Sequence, residues 1–436
     1  MSINSFLRVL GVMAGFSGAT VHAGLPIQHW TTTEGARVYL VEHHALPMID
    51  VSVNFPAGSA YDSAQRSGLA RLTETMLDQG TPALSDEAIA DKLADVGAEM
   101  GGRFDRDRAG LTLRTLSSDN EQDVALAVFV DVLQHPSFPP EAFERERKRM
   151  QARLTEAEAQ PADVAERAFY RAVYGAHPYG LPENGSVEGL SRLTREDLAA
   201  FYSSHYRASS AVICMIGDLS RSGAEALAAR ISKGLPQGRA PEAIAAPVPV
   251  EAQTVRLSLP TAQSHILMGA QGMSRTDPDY FPLYVGNYVL GGGGFDSRLM
   301  EELRQKRGFA YSAYSYLIPL AQPGPLEIGL QTRHEQTTAA LEVARETVRT
   351  FVENGPTEAE LKQAKNSLVG GFPLRLDSNK KILEYLEAIG IYKLPLTYLD
   401  QWPAKVEAVS LQQVNDAFKR RVNPQALSIV VVGPQY

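Results

Sequence analysis

An arginine and a tyrosine seven positions apart, Arg304 and Tyr311, are two side chains that can stabilise negative charge. A guanidinium and a phenol both donate hydrogen bonds, and donors aimed at a developing oxyanion lower a reaction barrier by several kcal/mol in a site that excludes water. The spacing alone leaves a simpler interpretation open. Arg304 could be a solvated helix residue, and Tyr311 an aromatic residue of a sheet.

The local pattern predicts which elements position this pair. The run Gly291 to Gly294 disfavours a helix start and predicts a flexible loop, whereas Asp296 or Ser297 can cap a helix that continues to about Arg307. Gly308 can end that helix, and the following FAYSAYSYLI is typical of a strand. Arg304 and Tyr311 are therefore expected on either side of one tight turn.

Composition limits the possible partners. With 436 residues, 44% of them hydrophobic, the chain can fill more than one core. Its net charge of −8, without a basic run, argues against nucleic acid or anionic lipid as the main partner. No segment after the N-terminal leader is apolar enough to predict a membrane span. Cys214 is the only cysteine, which excludes an intrachain disulfide and a cysteine-based zinc site.

The first 23 residues predict a secretory signal peptide. Arg8 lies beside an apolar run from about Leu7 to Phe16, and the small-residue ending Val21-His22-Ala23 predicts cleavage before Gly24. The protein is therefore expected in the periplasm or outside the cell. The alternative is that this stretch is a buried or disordered part of the mature chain.

The two halves of the chain resemble each other. SFPPEAFERERKRM resembles NGPTEAELKQAKNS, and Glu358 follows its counterpart Glu141 by 217 residues. LTREDLAAFYSSHYRASSAVICMIGD resembles VSLQQVNDAFKRRVNPQALSIVVVGP, and Phe418 follows Phe201 by the same 217 residues. A constant offset indicates a duplicated unit of about 210 residues.

We therefore predict an α+β fold made of a duplicated α/β domain, in which each copy has a mainly antiparallel sheet with helices packed on it. The first domain is expected over 25–235 and the second over 253–436. Residues 236–252, rich in proline and alanine, are predicted to form a linker. Within the first domain, Ser85 is expected to cap a helix that runs to Met100.

Three stretches together resemble the pitrilysin/insulinase family of zinc peptidases. They are GSAYDSAQRSGLARLTETMLDQGT, YGAHPYGLPENGSV and GGGGFDSRLMEELRQKRGFAYSAYS, and the resemblance covers about residues 27 to 435. It implies two domains that together form a clam-like half-chamber. In the family, an inverted motif, His-x-x-Glu-His, places two histidines on one helix face to bind zinc, and its glutamate acts as general base.

At the motif positions this chain departs from the family. Arg71 and Thr75 occupy the two histidine positions, and only Glu74, at the base position, is retained. The family's later glutamate ligand falls near Ala152 or Arg153. The departures imply a degenerate zinc motif, with no metal and no cofactor in this chain.

The resemblance assigns roles in the second half. Arginine and tyrosine at the positions of Arg304 and Tyr311 hold the substrate backbone and stabilise the oxyanion in family peptidases, and a glycine-rich loop like Gly291 to Gly294 contacts substrate or the facing domain. In this chain the first half has lost the zinc ligands, whereas the second half retains the arginine and the tyrosine. We therefore expect the chain to be the metal-free subunit of a heterodimeric peptidase. Zinc is expected in a homologous, motif-bearing partner that cleaves peptides.

Two alternatives remain at this point. One is a non-catalytic peptide-binding or scaffold protein of the same fold. The other is an independently active peptidase with unusual ligands, which would require zinc in the isolated chain.

Overall fold

Two β-sheets organise residues 25–434, the part of the chain described by a computed structural model. The signal peptide predicted for residues 1–23 lies outside these residues. The first sheet has the strand order β1-β2-β6-β3-β5-β4, and the second has the order β7-β11-β8-β10-β9. The strands are β1 Gln28–Thr31, β2 Arg37–Glu42, β3 Met48–Phe55, β4 Glu99–Phe104, β5 Ala109–Leu116, β6 Val212–Gly217, β7 Thr254–Ser258, β8 Gln263–Gln271, β9 Ala310–Leu317, β10 Pro325–Arg333 and β11 Ser428–Gly433.

The pairing of the strands confirms the duplication. In the first sheet β6 pairs parallel with β2 and antiparallel with β3, and in the second sheet β11 pairs parallel with β7 and antiparallel with β8. The remaining pairs are antiparallel. Each half therefore returns its last strand to an interior position of its sheet, where VICMIG and SIVVVG are buried along their whole length.

Helices make up most of the rest of the chain. They are α1 Leu69–Thr75, α2 Asp86–Asp95, α3 Asp119–Gln134, α4 Pro140–Ala157, α5 Pro161–Tyr174, α6 Val187–Ser191, α7 Arg195–His205, α8 Arg221–Gly234, α9 Tyr280–Asn287, α10 Arg298–Met300, α11 Thr337–Asn354, α12 Glu358–Gly370, α13 Asn379–Ile391, α14 Tyr398–Glu407 and α15 Leu411–Arg421. Two π-helical turns, Tyr288–Gly292 and Glu301–Gln305, follow α9 and α10. Among the helices of the described chain, none is long and apolar enough to cross a membrane.

Each half contributes one helix to the sheet of the other half. Helix α5 packs on β8 and β11, where Phe169 is fully buried against the backbone of Gly269. Helix α13 packs on β2, β3 and β6, and Gly390 lies so close to Tyr39 and Val212 that a Cβ atom there would overlap both side chains. The apolar faces of both sheets are therefore completed by residues from the opposite half.

Buried charges reinforce this exchange. Glu387 of α13 is fully buried and pairs with Arg103 at 3.2 Å and with Arg108 at 3.1 Å, both from the β4–β5 hairpin. On the other side of the hairpin, Asp107 accepts hydrogen bonds from the hydroxyls of Tyr179 (2.5 Å) and Tyr392 (2.9 Å). The turn between β4 and β5 thus contacts both halves of the chain.

The region between the sheets contains no helix or strand from Leu235 to Gln253. Five of its carbonyl groups accept hydrogen bonds from side chains of the two halves: Gly238 from Ser209, Arg239 from Arg207, Ile244 from Gln322, Ala245 from His177 and Val248 from Gln271. The predicted domain boundaries stay a prediction, because the helix exchange places residues of each half on the other sheet.

The helix predicted from Ser85 to Met100 is shorter than expected. Ser85 does cap it, with its side chain accepting from the Ala88 N–H, but the helix ends at Asp95. Gly97 has a φ of +62°, a left-handed conformation that ends helices, and the chain then enters strand β4.

We predict that Glu387→Ala destabilises the protein by about 3–5 kcal/mol, because it leaves two arginines without their buried counter-charge. The measurement is urea unfolding followed by circular dichroism. The control is Glu384→Ala, one turn earlier on α13, where an exposed carboxylate pairs with Arg103 at 3.4 Å and should contribute less than about 1 kcal/mol. Equal losses for the two variants would contradict the importance of the buried pair.

Candidate functional site

Helix α1 carries the positions of the inverted zinc motif. A buried carboxylate, Asp62, holds the start of this helix by accepting from the backbone N–H groups of Gly68 (2.6 Å) and Ala70 (2.8 Å). Leu72 and Thr73 then point into the core. Sequence reasoning missed Asp62, because it lies outside the helix and is brought to it only by the intervening 3₁₀ turn Ala64–Arg66.

Arg71 and Glu74, at the positions predicted for a metal ligand and the general base, form an ion pair. Arg71 Nη1 lies 3.2 Å from Glu74 Oε2, and the guanidinium lies 5.0 Å from the ring centre of Phe104. The Glu74 carboxylate is only 5% exposed and rests on the backbone of Gly102, where a Cβ atom would overlap it. Burial raises the pKa of Glu74 to about 7, although the Arg71 charge opposes this shift.

This arrangement does not fit a zinc ion. Zinc in proteins is bound by thiolate, imidazole and carboxylate groups, and Arg71 would instead place a positive charge beside the metal. Ala152 and Arg153 are exposed on α4 and also offer no ligand. Between residues 25 and 434 there is no group of three or more histidine, cysteine, aspartate or glutamate side chains that could hold a metal ion.

In contrast, the structure places Arg304 and Tyr311 against each other. The π-helical turn Glu301–Gln305 ends at a glycine turn, where the N–H of Gly308 donates to the Arg304 carbonyl at 2.9 Å. Gly308 has a φ of +61°, which favours glycine. Arg304 Nη1 then donates to the Tyr311 carbonyl at 2.9 Å, and its guanidinium lies 4.5 Å from the Tyr311 ring centre.

The helical segment before the turn covers the outer edge of β9 and so fixes this geometry. The Ala313 N–H faces the Met300 sulfur at 3.3 Å, and Asn287 donates its amide to the Ser315 carbonyl at 2.9 Å. The Ser315 hydroxyl donates to Asn287 Oδ1 at 2.7 Å. Backbone groups of β9, the edge strand of the second sheet, thereby find hydrogen-bond partners within the chain.

The glycine run is part of the same support. Gly291 and Gly292 end the π-helical turn Tyr288–Gly292, so half of the predicted flexible loop is helical. A Cβ atom at Gly291 would lie 2.4 Å from the backbone nitrogen of Ser315, so the close approach of the turn to β9 requires glycine. Gly293 and Gly294 lead into the next short turn, and a substrate contact for the run stays a prediction.

The pair lies at the surface of the protein, with Tyr311 exposed and Arg304 half-buried. Tyr311 is 80% exposed, and the guanidinium of Arg304 lies between its ring and that of Phe295, 4.7 Å away. No carboxylate of the described chain pairs with Arg304, whereas the neighbouring Lys306 and Arg307 both pair with Glu302. The Arg304 charge is therefore available to a bound group.

Tyr311 stands at the rim of a cleft of ≈270 Å³ between α5 and the second sheet. Tyr314 and Glu327 line the cleft from the sheet, and the Tyr314 hydroxyl donates to Glu327 Oε1 at 3.4 Å. Asp163 and Glu166 line it from α5. Burial raises the pKa of Glu327, and the Glu166 charge acts in the same direction.

The structure therefore brings the predicted donors together, and it places them apart from the predicted zinc-motif residues. Arg304 and Tyr311 are in direct contact on the second sheet, and Arg71, Glu74 and Thr75 lie on α1 beside the first sheet. Within residues 25–434, no hydrogen bond, ion pair or ring contact joins the two groups.

We predict that Glu74→Gln becomes more stable, relative to wild type, as the pH rises from 5 to 8. The carboxyl of Glu74 releases its proton at a lower pH in the unfolded chain, near 4.5, than in the folded chain, near 7, so wild type loses stability across this window. The relative gain should be about 1–3 kcal/mol in urea unfolding at the two pH values. Glu384→Gln, which removes an exposed carboxylate, is the control. Parallel pH profiles for wild type and Glu74→Gln would contradict the assignment.

Comparison with known proteins agrees with this geometry. The family model for the insulinase peptidases, family M16, matches residues 37–185, and the model for the peptidase M16 inactive domain matches residues 192–368. A crystal structure of a peptidase M16 inactive domain from Pseudomonas fluorescens has a TM-score of 0.91 and 36% identity, covering 94% of this chain and 98% of that chain.

Curated relatives match over nearly the whole chain as well. An uncharacterized zinc protease from Mycobacterium bovis is 28% identical over 422 residues, which cover 96% of this chain and 95% of the relative. A non-peptidase homolog, YmxG, from Helicobacter pylori is 26% identical over 393 residues, 90% of either chain. The chain belongs to the M16 (insulinase) family of peptidases.

Proposed function

We propose that this chain is the metal-free subunit of a heterodimeric peptidase and lends Arg304 and Tyr311 to the zinc site of a homologous partner. One observation carries the proposal. Tyr311 is exposed, the half-buried Arg304 is held against it, and neither has a carboxylate partner among the described residues, whereas Arg71 and Glu74, at the predicted zinc-motif positions, pair with each other. A complementing subunit is expected to retain the donors even when its own metal site is lost.

Each donor has a distinct task in this proposal. The partner supplies the metal, the attacking water and the general base. The Arg304 guanidinium holds a backbone carbonyl of the extended peptide, and the Tyr311 hydroxyl donates to the oxyanion that develops on the scissile carbonyl. Because Arg304 is already bonded to the Tyr311 carbonyl, little rearrangement is needed when the substrate binds.

The names of the relatives support the metal-free part of the proposal. The Pseudomonas fluorescens structure is named an inactive domain, and the Helicobacter pylori relative is named a non-peptidase homolog. Both names agree with a chain that needs a partner for catalysis. We further propose that residues 1–23 direct export of the chain to the periplasm or the exterior and are then cleaved, and that the pair acts on peptides there.

A second candidate is a non-catalytic peptide-binding or scaffold protein. The loss of both histidine positions, to Arg71 and Thr75, is equally expected for a chain that retained only the fold. This candidate requires no zinc-bearing partner and no hydrolysis, so activity measurements on the reconstituted pair separate it from the first proposal.

We predict that Tyr311→Phe lowers kcat/KM of the reconstituted pair about 10- to 1000-fold, because it removes one oxyanion donor and nothing else. Arg304→Ala should cause a loss of similar order and also raise KM, since the arginine holds the substrate backbone. The assay mixes the purified chain with the homologous protein that carries His-x-x-Glu-His and follows cleavage of a quenched fluorescent peptide.

The matched control is Tyr316→Phe, which removes another exposed phenol from the same strand, and it should leave kcat/KM within about twofold. Full activity of both Tyr311→Phe and Arg304→Ala pairs would refute the donor role. Peptide binding without any cleavage by the wild-type pair would favour the scaffold candidate.

We also predict that the isolated chain holds far less than one equivalent of zinc after dialysis, measured by elemental analysis. The physical reason is the positive charge of Arg71 at the first ligand position and the absence of imidazole at the second. The motif-bearing partner, treated identically, is the positive control. Stoichiometric zinc in the isolated chain would instead support an independently active peptidase with unusual ligands.

A further inference from the structure

A second cleft, apart from the Arg304–Tyr311 pair, lies among α9, α13, α14 and the turn Phe372–Arg375. Its volume is ≈500 Å³. Aromatic side chains form much of its lining: Tyr280, Tyr284, Tyr385, Tyr398 and Trp402. The rings of Tyr280 and Tyr284 stack with their centres 5.8 Å apart, and Tyr284 meets Trp402 edge-on at 6.0 Å. These walls offer flat apolar surfaces with phenol hydroxyls at their margins.

Arg275 lines the inner part of this cleft and lacks a counter-charge. Its Nη1 donates to the Tyr280 hydroxyl at 3.2 Å, and its guanidinium lies 5.5 Å from the ring centre of Tyr392. Its Nε is buried and has no hydrogen-bond partner in the described chain, and no described carboxylate forms an ion pair with it. Burying a hydrogen-bond donor of a charged group without a partner costs folding free energy, and a bound anion would offset that cost.

Arg375 lines the same cleft and is held in a similar way. Its Nη1 donates to the Tyr284 hydroxyl at 2.8 Å, and its guanidinium lies 5.5 Å from the ring centre of Trp402. It also forms no ion pair with a carboxylate of residues 25–434. Both arginines are therefore oriented by neutral aromatic groups, and their charges are left for a ligand.

The other charged side chains of the cleft are neutralised within the chain. Lys381 pairs with Asp377 at 2.9 Å, and Glu384 pairs with Arg103 at 3.4 Å. The contrast shows that the local sequence provides carboxylates near the cleft, but none of them reaches the two arginines. The cleft thus combines two positive charges with an aromatic lining.

We propose that this cleft binds a carboxylate carried by an aromatic group, as in the C-terminal residue of a peptide. Planar guanidinium groups match a carboxylate through paired hydrogen bonds, and the tyrosine and tryptophan rings would pack on the aromatic body of the ligand. The volume accommodates one amino-acid residue with its side chain. The proposal concerns binding by the chain alone and is independent of the complementing-subunit proposal.

Trp402 gives a direct measurement. The chain has two tryptophans, Trp30 and Trp402, so Trp30→Phe leaves one reporter, inside the cleft. In this background we would titrate N-acetylphenylalanine, its amide and inorganic phosphate, and follow the fluorescence of Trp402. Saturable quenching by the carboxylate at millimolar concentration is expected, with at least tenfold weaker binding of the amide (about 1.4 kcal/mol) and of phosphate.

Variants identify the groups responsible. Arg275→Gln and Arg375→Gln should each weaken binding of N-acetylphenylalanine at least about tenfold. Arg345→Gln, which changes an exposed arginine on α11 that does not line the cleft, should bind like the background protein. Circular dichroism and thermal unfolding check that each variant is folded. If Arg275→Gln does not fold, Arg375→Gln alone tests the role of the arginines.

Several outcomes would overturn the proposal. Equal binding of the acid and the amide would remove the role of the carboxylate, and tighter binding of phosphate would remove the role of the aromatic group. Unchanged affinity of folded Arg375→Gln, or no saturable fluorescence change with N-acetylphenylalanine, would also exclude the site as proposed.

Discussion

The exchange of helices between the two halves is the constraint on which the rest of the molecule depends. Each sheet has an apolar face that must be covered, and the cover is completed by α5 on the second sheet and by α13 on the first. The buried Glu387 then brings its charge to Arg103 and Arg108 of the β4–β5 hairpin. Neither half can complete its core alone, so the duplicated units fold as one structure.

That exchange also creates the clefts. The cleft beside Tyr311 exists because α5, from the first half, lies across strands of the second sheet. The aromatic cleft with Arg275 and Arg375 uses α13, whose other face is packed on the first sheet. Concave surfaces thus arise where an element of one half rests on the other, a common location for ligand sites.

Three arginines illustrate how surroundings decide the role of one residue type. Arg71 is paired with the buried Glu74 and lies near the ring of Phe104, so its charge is balanced within the chain. Arg304 and Arg275 are held by a backbone carbonyl, hydroxyl and aromatic rings, none of which neutralises a cation. The first arrangement is structural, and the other two leave positive charge for a bound group.

The sequence by itself determined the duplication, the α+β class and the family, because these follow from local patterns along the chain, and the loss of both histidine positions stays a prediction. It also placed Arg304 and Tyr311 on either side of one turn, since Gly308 and the alternation after it act locally. It could not predict that Gly291 approaches Ser315, that Asp62 holds helix α1, or that α13 crosses to the first sheet. Only the tertiary structure decided those features and the pairing of Arg275 with Tyr280. The contacts of Gly291 and of α13 join residues far apart in sequence, and those of Asp62 and Arg275 depend on the path of irregular turns that no sequence period specifies.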